Sequence, residues 1–454
     1  MLSSLPQKID LLQFHDLNSD RYPFLLESVA NGTEQSRYDI LLSFPQETLS
    51  LTSDGKLHGA NAFHKGEFLS SFDAWFGNES RINKTEHDLP FSGGWFIFLA
   101  YELIKEIEPS LTIPSGNESA NTIAYAARCP AAIIVDHKNN TTQFFTEDDR
   151  PDLLKLLLAD YALIGKDKIA TDEHIIKLAS MKEEPGDAYY QSVKRIKNYI
   201  TEGDVFQVNL SRLWKAEIES NVSASDLYKN LRVNNPAPFS GLASLPEATI
   251  ISSSPERLVR VRDMQIESRP IAGTRPRSVN KEEDNRLSAE LLSHPKEQAE
   301  HIMLIDLERN DLGRVCEPGS IHVNELMSLE SYEYVHHIVS NVKGKLKNSV
   351  SPADIIRAVF PGGTITGCPK IRCMEIITEL EKLPRGAYTG SMGYINLDGS
   401  MDLNILIRTI LMQDNEITLR TGAGIVYDSD AKKELNETRD KARGMLRALS
   451  IKDA

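Results

Sequence analysis

The sequence predicts a mixed α/β protein, and three observations carry that expectation. Residues 1–136 hold short apolar runs bounded by turn residues, "RYDILLSFP", "GGWFIFLAYEL" and "AAIIVD", the pattern of strands with a few helices between them. In "DAYYQSVKRIKNYITEGD" Val193, Ile196 and Ile200 fall on one helical face, with Asp187 as the expected N-cap and Gly203 as the stop. Directly behind it, "VFQVNLSRLW" alternates at Phe206, Val208 and Leu210 and reads as a strand. The third observation is "EATIISSSPERLVRV", which reads as strand, turn and strand, with Glu256 just after the first.

At 454 residues and 41% hydrophobic content, the chain is long enough for two domains or one large one. The organisation expected is an N-terminal region over 1–150, a polar connection over 151–187 and a C-terminal region over 188–450. The connection holds one helix near "LLKLLLADYALIG" and ends at "EEPGD". No fixed-period repeat is present. A net charge of −14 argues against nucleic acid and anionic membranes as partners, because phosphate binding needs a basic footprint. Four cysteines in so long a chain make no disulfide framework, and Cys368 and Cys373 read as ordinary thiols. The start, "MLSSLPQKIDLLQF", lacks a signal-peptide pattern, and the longest apolar run falls short of the roughly 20 residues a bilayer needs. The expectation is a reduced, cytoplasmic, soluble protein.

The segment "FPGGTITGCPKIRCMEIITELEKL" (360–383) joins a glycine-rich loop to a helical pattern. A nucleotide phosphate loop needs lysine directly after its second glycine. Here Cys368 and Pro369 follow Gly367, Lys370 comes too late, and Ile371 stands where a hydroxyl belongs. The nucleotide reading therefore fails. A helix N-terminus behind such a loop, with Pro369 suited to the first turn, would still present free N–H groups to a carboxylate. Two further stretches carry paired acids. Glu297 and Glu300 in "PKEQAEHIMLIDLERNDLGR", and Glu434 and Glu437 in "AKKELNETRDKARGML", share an i,i+3 spacing that sets each pair on one helix face. Oxygen donors from two helices suit a hard divalent cation such as Mg2+. A carboxyl in a dry pocket, as Glu256 would be, holds its proton and acts as a general acid.

Together these residues resemble the chorismate-utilising enzymes, a family that includes anthranilate synthase component I, aminodeoxychorismate synthase component I, isochorismate synthase and salicylate synthase. The resemblance is strongest over residues 185–450, and "FLLESV" and "SRYDIL" extend it to the N-terminal region. It implies the family's large α/β (α+β) architecture: antiparallel sheets packed as a sandwich, helices outside, an active-site cleft, and N- and C-terminal parts that interleave. It implies Mg2+ held by Glu300 and Glu437, with Glu297 and Glu434 behind them. It implies a substrate grip from Arg408 in "NILIRT", Tyr388 in "AYTGSMGY", Gly422 and Gly424 in "RTGAGIV", and Lys441. His337 in "VHHIVS", Thr274 and Thr364 would orient the ring, and Glu256 would protonate the departing C4 hydroxyl.

In members that use water, a lysine base occupies the position of Gln207; an amide cannot deprotonate water, whereas ammonia needs no base. The resemblance thus implies amination of chorismate, with ammonia from a separate glutamine amidotransferase subunit, since no glutaminase domain with a nucleophilic cysteine is visible. "FPGGTITGCPK", "VHHIVS" and "YTGSMGY" resemble the branch that aminates C4. In "RPIAGTRPR", however, Ala272 stands where many members of that branch carry a nucleophilic lysine and where anthranilate-forming members carry alanine. The expected product is 4-amino-4-deoxychorismate, with anthranilate as the alternative. Leu26, Glu27 and Ser28 resemble a tryptophan-binding strand.

Overall fold

The alternating runs form strands, and the strands assemble into two large antiparallel sheets. One has twelve strands, ordered Leu2–Leu5, Thr141–Thr146, Ala131–Asp136, Tyr38–Ser43, Phe24–Glu27, Phe239–Ser244, Thr249–Ser254, Thr409–Gln413, Glu416–Ile425, Gln207–Ile218 and Leu178–Glu183, with the short Gly367–Cys368 strand also pairing with Gln207–Ile218. The other has eleven, ordered Ile271–Pro276, Val335–Lys345, Gln265–Ser268, Arg257–Arg262, Met401–Asn404, Ser391–Asn396, Gly94–Leu99, Thr122–Cys129, Thr48–Thr52 and Leu57–Gly59, with His322–Ser331 beside Val335–Lys345. Both sheets mix strands from the first 150 residues with strands from the last 270 or so. This computed structural model describes residues 1–30, 36–80, 88–113, 121–164, 174–219, 221–278, 280–331 and 335–451, without the side chains of Thr274 and Lys296.

Strand alternation sorts the apolar side chains into three cores. Phe24, Ile40 and Leu42 of the first sheet meet Phe96, Phe98 and Tyr125 of the second, and the Phe24 and Phe96 rings stack at 3.9 Å. The outer face of the first sheet puts Leu25, Leu41 and Trp214 under helices Ala224–Asn234 and Ala431–Ala448, which contribute Tyr228, Leu231 and Met445. The outer face of the second sheet puts Trp95 and Ile97 under helix Phe68–Glu79, with Phe72 and Trp75. Among the described residues no helix is long and apolar enough to cross a membrane.

Local chemistry explains the elements that frame the site, and corrects two expectations. Helix Gly186–Glu202 ends at Gly203 in the left-handed region, as its sequence predicts, and buries Val193 and Ile196. It starts two residues earlier than expected. Pro185 is the N-cap, and Asp187 sits in the first turn, where its charge complements the helix dipole rather than capping it. Phe206 is not part of the following strand: pairing begins at Gln207, opposite Cys368, and the Phe206 ring is 67% exposed.

The glycine-rich loop makes a tight turn from the short strand Gly367–Cys368 into helix Lys370–Glu381. Gly367, at φ +134, lies so close to the Gln207 carbonyl that a Cβ would stand 2.1 Å from its oxygen, and Gly363 packs against Leu307. Here glycine serves close backbone approach. Pro369 is the N-cap of helix Lys370–Glu381, and Lys370 is paired with Asp311, so that end of the helix is spent on structure. The thiols of Cys368 and Cys373 are unbridged, and Cys373 donates to the Gln207 carbonyl at 3.1 Å.

Candidate active site

Two chain crossings between the sheets create the centre of the site. Strand Thr249–Ser254 of the first sheet leads through Pro255 and Glu256 into Arg257–Arg262 of the second, and Met401–Asn404 of the second leads through Arg408 back to Thr409–Gln413 of the first. The crossings bond to each other: Ile405 N–H donates to the Glu256 carbonyl at 3.0 Å, and Ser253 N–H to the Arg408 carbonyl at 3.1 Å. Arg408 turns through φ +52, a left-handed conformation costing about 1–2 kcal/mol in a non-glycine residue and common where function fixes the backbone.

Glu256 and Arg408 face a cavity of about 1130 Å3 that draws on both sheets and two helices. Gln207, Ala272, Glu297, Glu300, His337 and Thr364 line it, and so do Tyr388, Gly422, Gly424, Glu434, Glu437 and Lys441. Every site residue the sequence singled out for metal and ring chemistry is therefore in one place, except that the Thr274 side chain lies outside the described residues. Thr274 itself pairs with His337 across strands Ile271–Pro276 and Val335–Lys345. Arg275, Arg420 and Asn209 also line the cavity. Sequence reading passed over them, although Arg275 and Arg420 each lie within two residues of a chosen position.

The electrostatics of the cavity favour a neutral acid and an anion-seeking cation. Burial pushes the Glu256 carboxyl up to about 8, helped by the negative charge of Glu308 and opposed by Lys441. Its Oε1 is buried with no hydrogen-bond partner at bonding distance, and the Thr364 hydroxyl is likewise unsatisfied. Burial lowers the affinity of the Arg408 guanidinium for its proton, yet arginine stays charged; no hydrogen bond or ion pair of its side chain occurs among the described residues. His337 is pushed down to about 3 by burial and by the charge of Arg408, so its ring is neutral.

The two helices deliver their acids as the i,i+3 spacing predicts. Helix Pro295–Gly313 carries Glu297 and Glu300; helix Ala431–Ala448 carries Glu434 and Glu437. Gln207 Nε2 donates to Glu300 at 2.9 Å, Arg275 pairs with Glu297 at 3.4 Å, and Lys441 pairs with Glu437 at 2.8 Å while donating to the Gly422 carbonyl at 3.0 Å. Among the described residues no three carboxylates stand close enough to enclose a metal by themselves. The donor set is all hard oxygen, and Mg2+ keeps several waters and takes only one or two carboxylates besides its substrate ligands, so these residues fit that ion.

Glycine shapes the wall opposite the helices. Gly424 lies across from Asn209, and a Cβ there would fall 2.3 Å from Gln207 Nε2; a Cβ on Gly422 would fall 2.7 Å from the Tyr388 hydroxyl. Tyr388 lies against Arg385, whose guanidinium is 5.4 Å from the centre of its ring; burial pushes its hydroxyl up to about 12. Arg385 and Arg420 both pair with the buried Glu381, at 2.6 and 3.4 Å.

Comparison with known proteins agrees with this geometry. A model of the chorismate binding enzyme family matches residues 24–447. The chain belongs to that family. It is 42% identical to an anthranilate synthase component I-like protein of Synechocystis over 81% of this chain and 74% of that one. It is 39% identical to aminodeoxychorismate synthase component 1 of Bacillus subtilis over 98% and 95%. Anthranilate synthase component I of Streptococcus pneumoniae superposes with a TM-score of 0.78 at 32% identity, covering 91% of this chain and 93% of that one.

A second candidate site involves Leu26, Glu27 and Ser28. They border a separate cavity of about 1210 Å3 between the sheets, with Phe239, Met392 and Tyr394. Alternation splits the trio: Leu26 packs with the core between the sheets, whereas the Glu27 carboxylate bonds Tyr228 at 2.6 Å and Arg232 at 3.3 Å under the outer helices. Glu27 is thus engaged on the opposite face of its strand from Leu26.

Replacing Gly424 by alanine should leave the fold intact but displace the Gln207 amide from Glu300 and lower chorismate consumption about tenfold or more. Steady-state kinetics beside a thermal melt checks it; full activity would mean that the amide does not need its place.

Proposed function

We propose that the chain aminates chorismate at C4, giving 4-amino-4-deoxychorismate, with ammonia supplied by a separate glutamine amidotransferase subunit. The observation that carries this reading is the pairing of a protonated, buried Glu256 with an Arg408 whose side chain makes no ion pair among the described residues, in a cavity whose nucleophile side holds the amide of Gln207. A dianionic substrate gives Arg408 its missing partner. The Glu256 proton goes to the C4 hydroxyl, which leaves as water as the C–N bond forms, and the proton shed by the nitrogen restores Glu256. Neutral His337 and the Tyr388 and Thr364 hydroxyls hydrogen-bond and orient the substrate. Glu300 and Glu437 would hold Mg2+, with Glu297 and Glu434 behind them. When bound, the ion neutralises a substrate carboxylate. Two of the relatives are named as component I or 1 proteins, which supports a two-subunit enzyme.

Ala272 favours a second reading, anthranilate as the product. It is buried in the cavity wall and offers no nucleophile, so C4 amination here would proceed by direct displacement. Product identification separates the readings. With chorismate, Mg2+ and ammonium at about pH 8, where Glu256 is about half protonated, the expected product has the mass of aminodeoxychorismate and yields 4-aminobenzoate with an added lyase. Fluorescent anthranilate appearing without the lyase would replace the first reading by the second.

Substituting glutamine for Glu300 or Glu437 should abolish turnover and the Mg2+ dependence of substrate binding by calorimetry. Retained activity would remove those residues from the metal assignment.

The cavity beside Leu26 and Ser28 is proposed to hold tryptophan as a structural ligand, its indole against Phe239 and Met392. Titration with tryptophan should release heat and raise the melting temperature; neither change would discard the site.

A further inference from the structure

Arg385, in the turn between helix Lys370–Glu381 and strand Ser391–Asn396, is a buried cation that the proposed chemistry does not use. All five of its side-chain N–H groups find acceptors. Nε and Nη2 hold the Glu381 carboxylate at 2.9 and 2.6 Å, and Nη2 also donates to the Asn209 carbonyl at 2.8 Å. Nη1 donates to the Ile365 carbonyl and to the Thr389 hydroxyl, both at 3.2 Å. Asn209 and Ile365 line the cavity, and Glu381 also takes the Ser211 amide at 2.8 Å. Strand Gln207–Ile218, the turn at Thr364 and the end of helix Lys370–Glu381 thus meet at one guanidinium. The cavity-lining Tyr388 is tied to Arg385 three times. Its ring centre lies 5.4 Å from the guanidinium, its amide donates to the Arg385 carbonyl at 3.2 Å, and its carbonyl accepts at 2.6 Å from the same Thr389 hydroxyl. Thr389 stands at φ +62, an outlier for a β-branched residue, and its amide donates to the Leu406 carbonyl at 2.7 Å. From the outer side, the Glu102 carboxylate accepts the Arg385 and Gly386 amides at 2.7 and 3.1 Å.

We propose that Arg385 is a positioning residue that sets Tyr388 against the substrate. The inference rests on the reading of Tyr388 as a substrate contact. The Tyr388 hydroxyl stands where Gly422 leaves room for it, and it makes no hydrogen bond among the described residues, so nothing at that end holds the ring. The ring is held at its other end, through Arg385. An ammonium could not do the same: lysine brings three donors on a point charge, against five in a plane, and cannot grip a carboxylate with two bonds while reaching two carbonyls and a hydroxyl. Lysine in place of Arg385 keeps a positive charge beside Glu381, so the wall keeps its charge balance and loses only the geometry of the turn. That loss falls on substrate binding rather than on proton transfer, because Glu256 is carried by the crossing between the sheets and not by this turn.

Chorismate consumption by Arg385→Lys, Tyr388→Phe and the double variant tests this. Each single change should raise the KM for chorismate about tenfold, with kcat within about twofold of the parent and the pH profile unmoved. The double variant should also be about tenfold worse and no more, because the hydroxyl that Arg385 places is already gone. A KM unchanged in Arg385→Lys, or about a hundredfold loss in the double variant, overturns the proposal. The place of the ring is read apart from turnover by NMR of a chain carrying 13C in its tyrosine rings, the Tyr388 signal being the one absent from Tyr388→Phe. That signal should shift or split in Arg385→Lys, and an undisplaced signal overturns the proposal. Should Tyr388→Phe leave the KM unchanged, the reading of Tyr388 as a substrate contact falls, and a displaced signal still upholds the positioning. Should Arg385→Lys fail to fold, Glu102→Gln, which loosens the same turn from its outer side, takes its place in the cycle and in the spectrum.

Discussion

The backbone passes between the two sheets at residues 254–257 and again at 404–409, and these passages are hydrogen-bonded to one another. That mutual pairing is the constraint on which the site depends. A strand that changes sheet must leave one ladder and join another within a few residues. Its polar groups need partners in the gap, and each crossing supplies them for the other. The residues at the crossings, Glu256 and Arg408, are thereby held between the sheets, where water is scarce and both lose part of their ordinary ionisation preference. The left-handed backbone at Arg408 is stable because the bonds around it leave no alternative.

Around this centre the protein arranges charge by layer. Arg408 comes from the crossing between the sheets, whereas Lys441 shares helix Ala431–Ala448 with Glu434 and Glu437 and pairs with Glu437. The structural ion pairs back this layer: the buried Glu381 joins Arg385 and the cavity-lining Arg420, and Asp311 joins Lys370. Breaking a buried pair of that kind exposes an uncompensated charge, at a cost of about 3–5 kcal/mol, so these groups hold the wall rather than take part in chemistry. Glycines complete the division of labour. Gly422 and Gly424 leave room for Tyr388 and for the Gln207 amide, so two side chains from distant parts of the sequence reach into the cavity at strand positions where any Cβ would block them.

The amide of Gln207 and the methyl of Ala272 set what the cavity can do with a nucleophile. Neither group can remove a proton or form a covalent bond. Under the proposed amination, catalysis depends on a nucleophile that arrives neutral and on an acid that arrives protonated. The second requirement is then the harder one, because a cation that draws in a dianionic substrate also tends to ionise the acid.

Much of this was legible in the chain alone. The i,i+3 spacing of the four glutamates, the strand–turn–strand around Glu256 and the stop at Gly203 follow from local periodicity and capping, and local physics decides them. The motifs were long enough to indicate a chorismate-utilising enzyme. What the sequence could not decide was spatial. The glycines of the loop at 360–369 make close approaches to Gln207 and Leu307 that composition alone does not show. Leu26 and Glu27 are neighbours in sequence, yet alternation sends them to opposite faces of the sheet. Phe206 continues an alternating pattern, but the ladder starts one residue after it. Periodicity determines which face a residue occupies on its own element; only the packing of elements distant in sequence decides what that face meets.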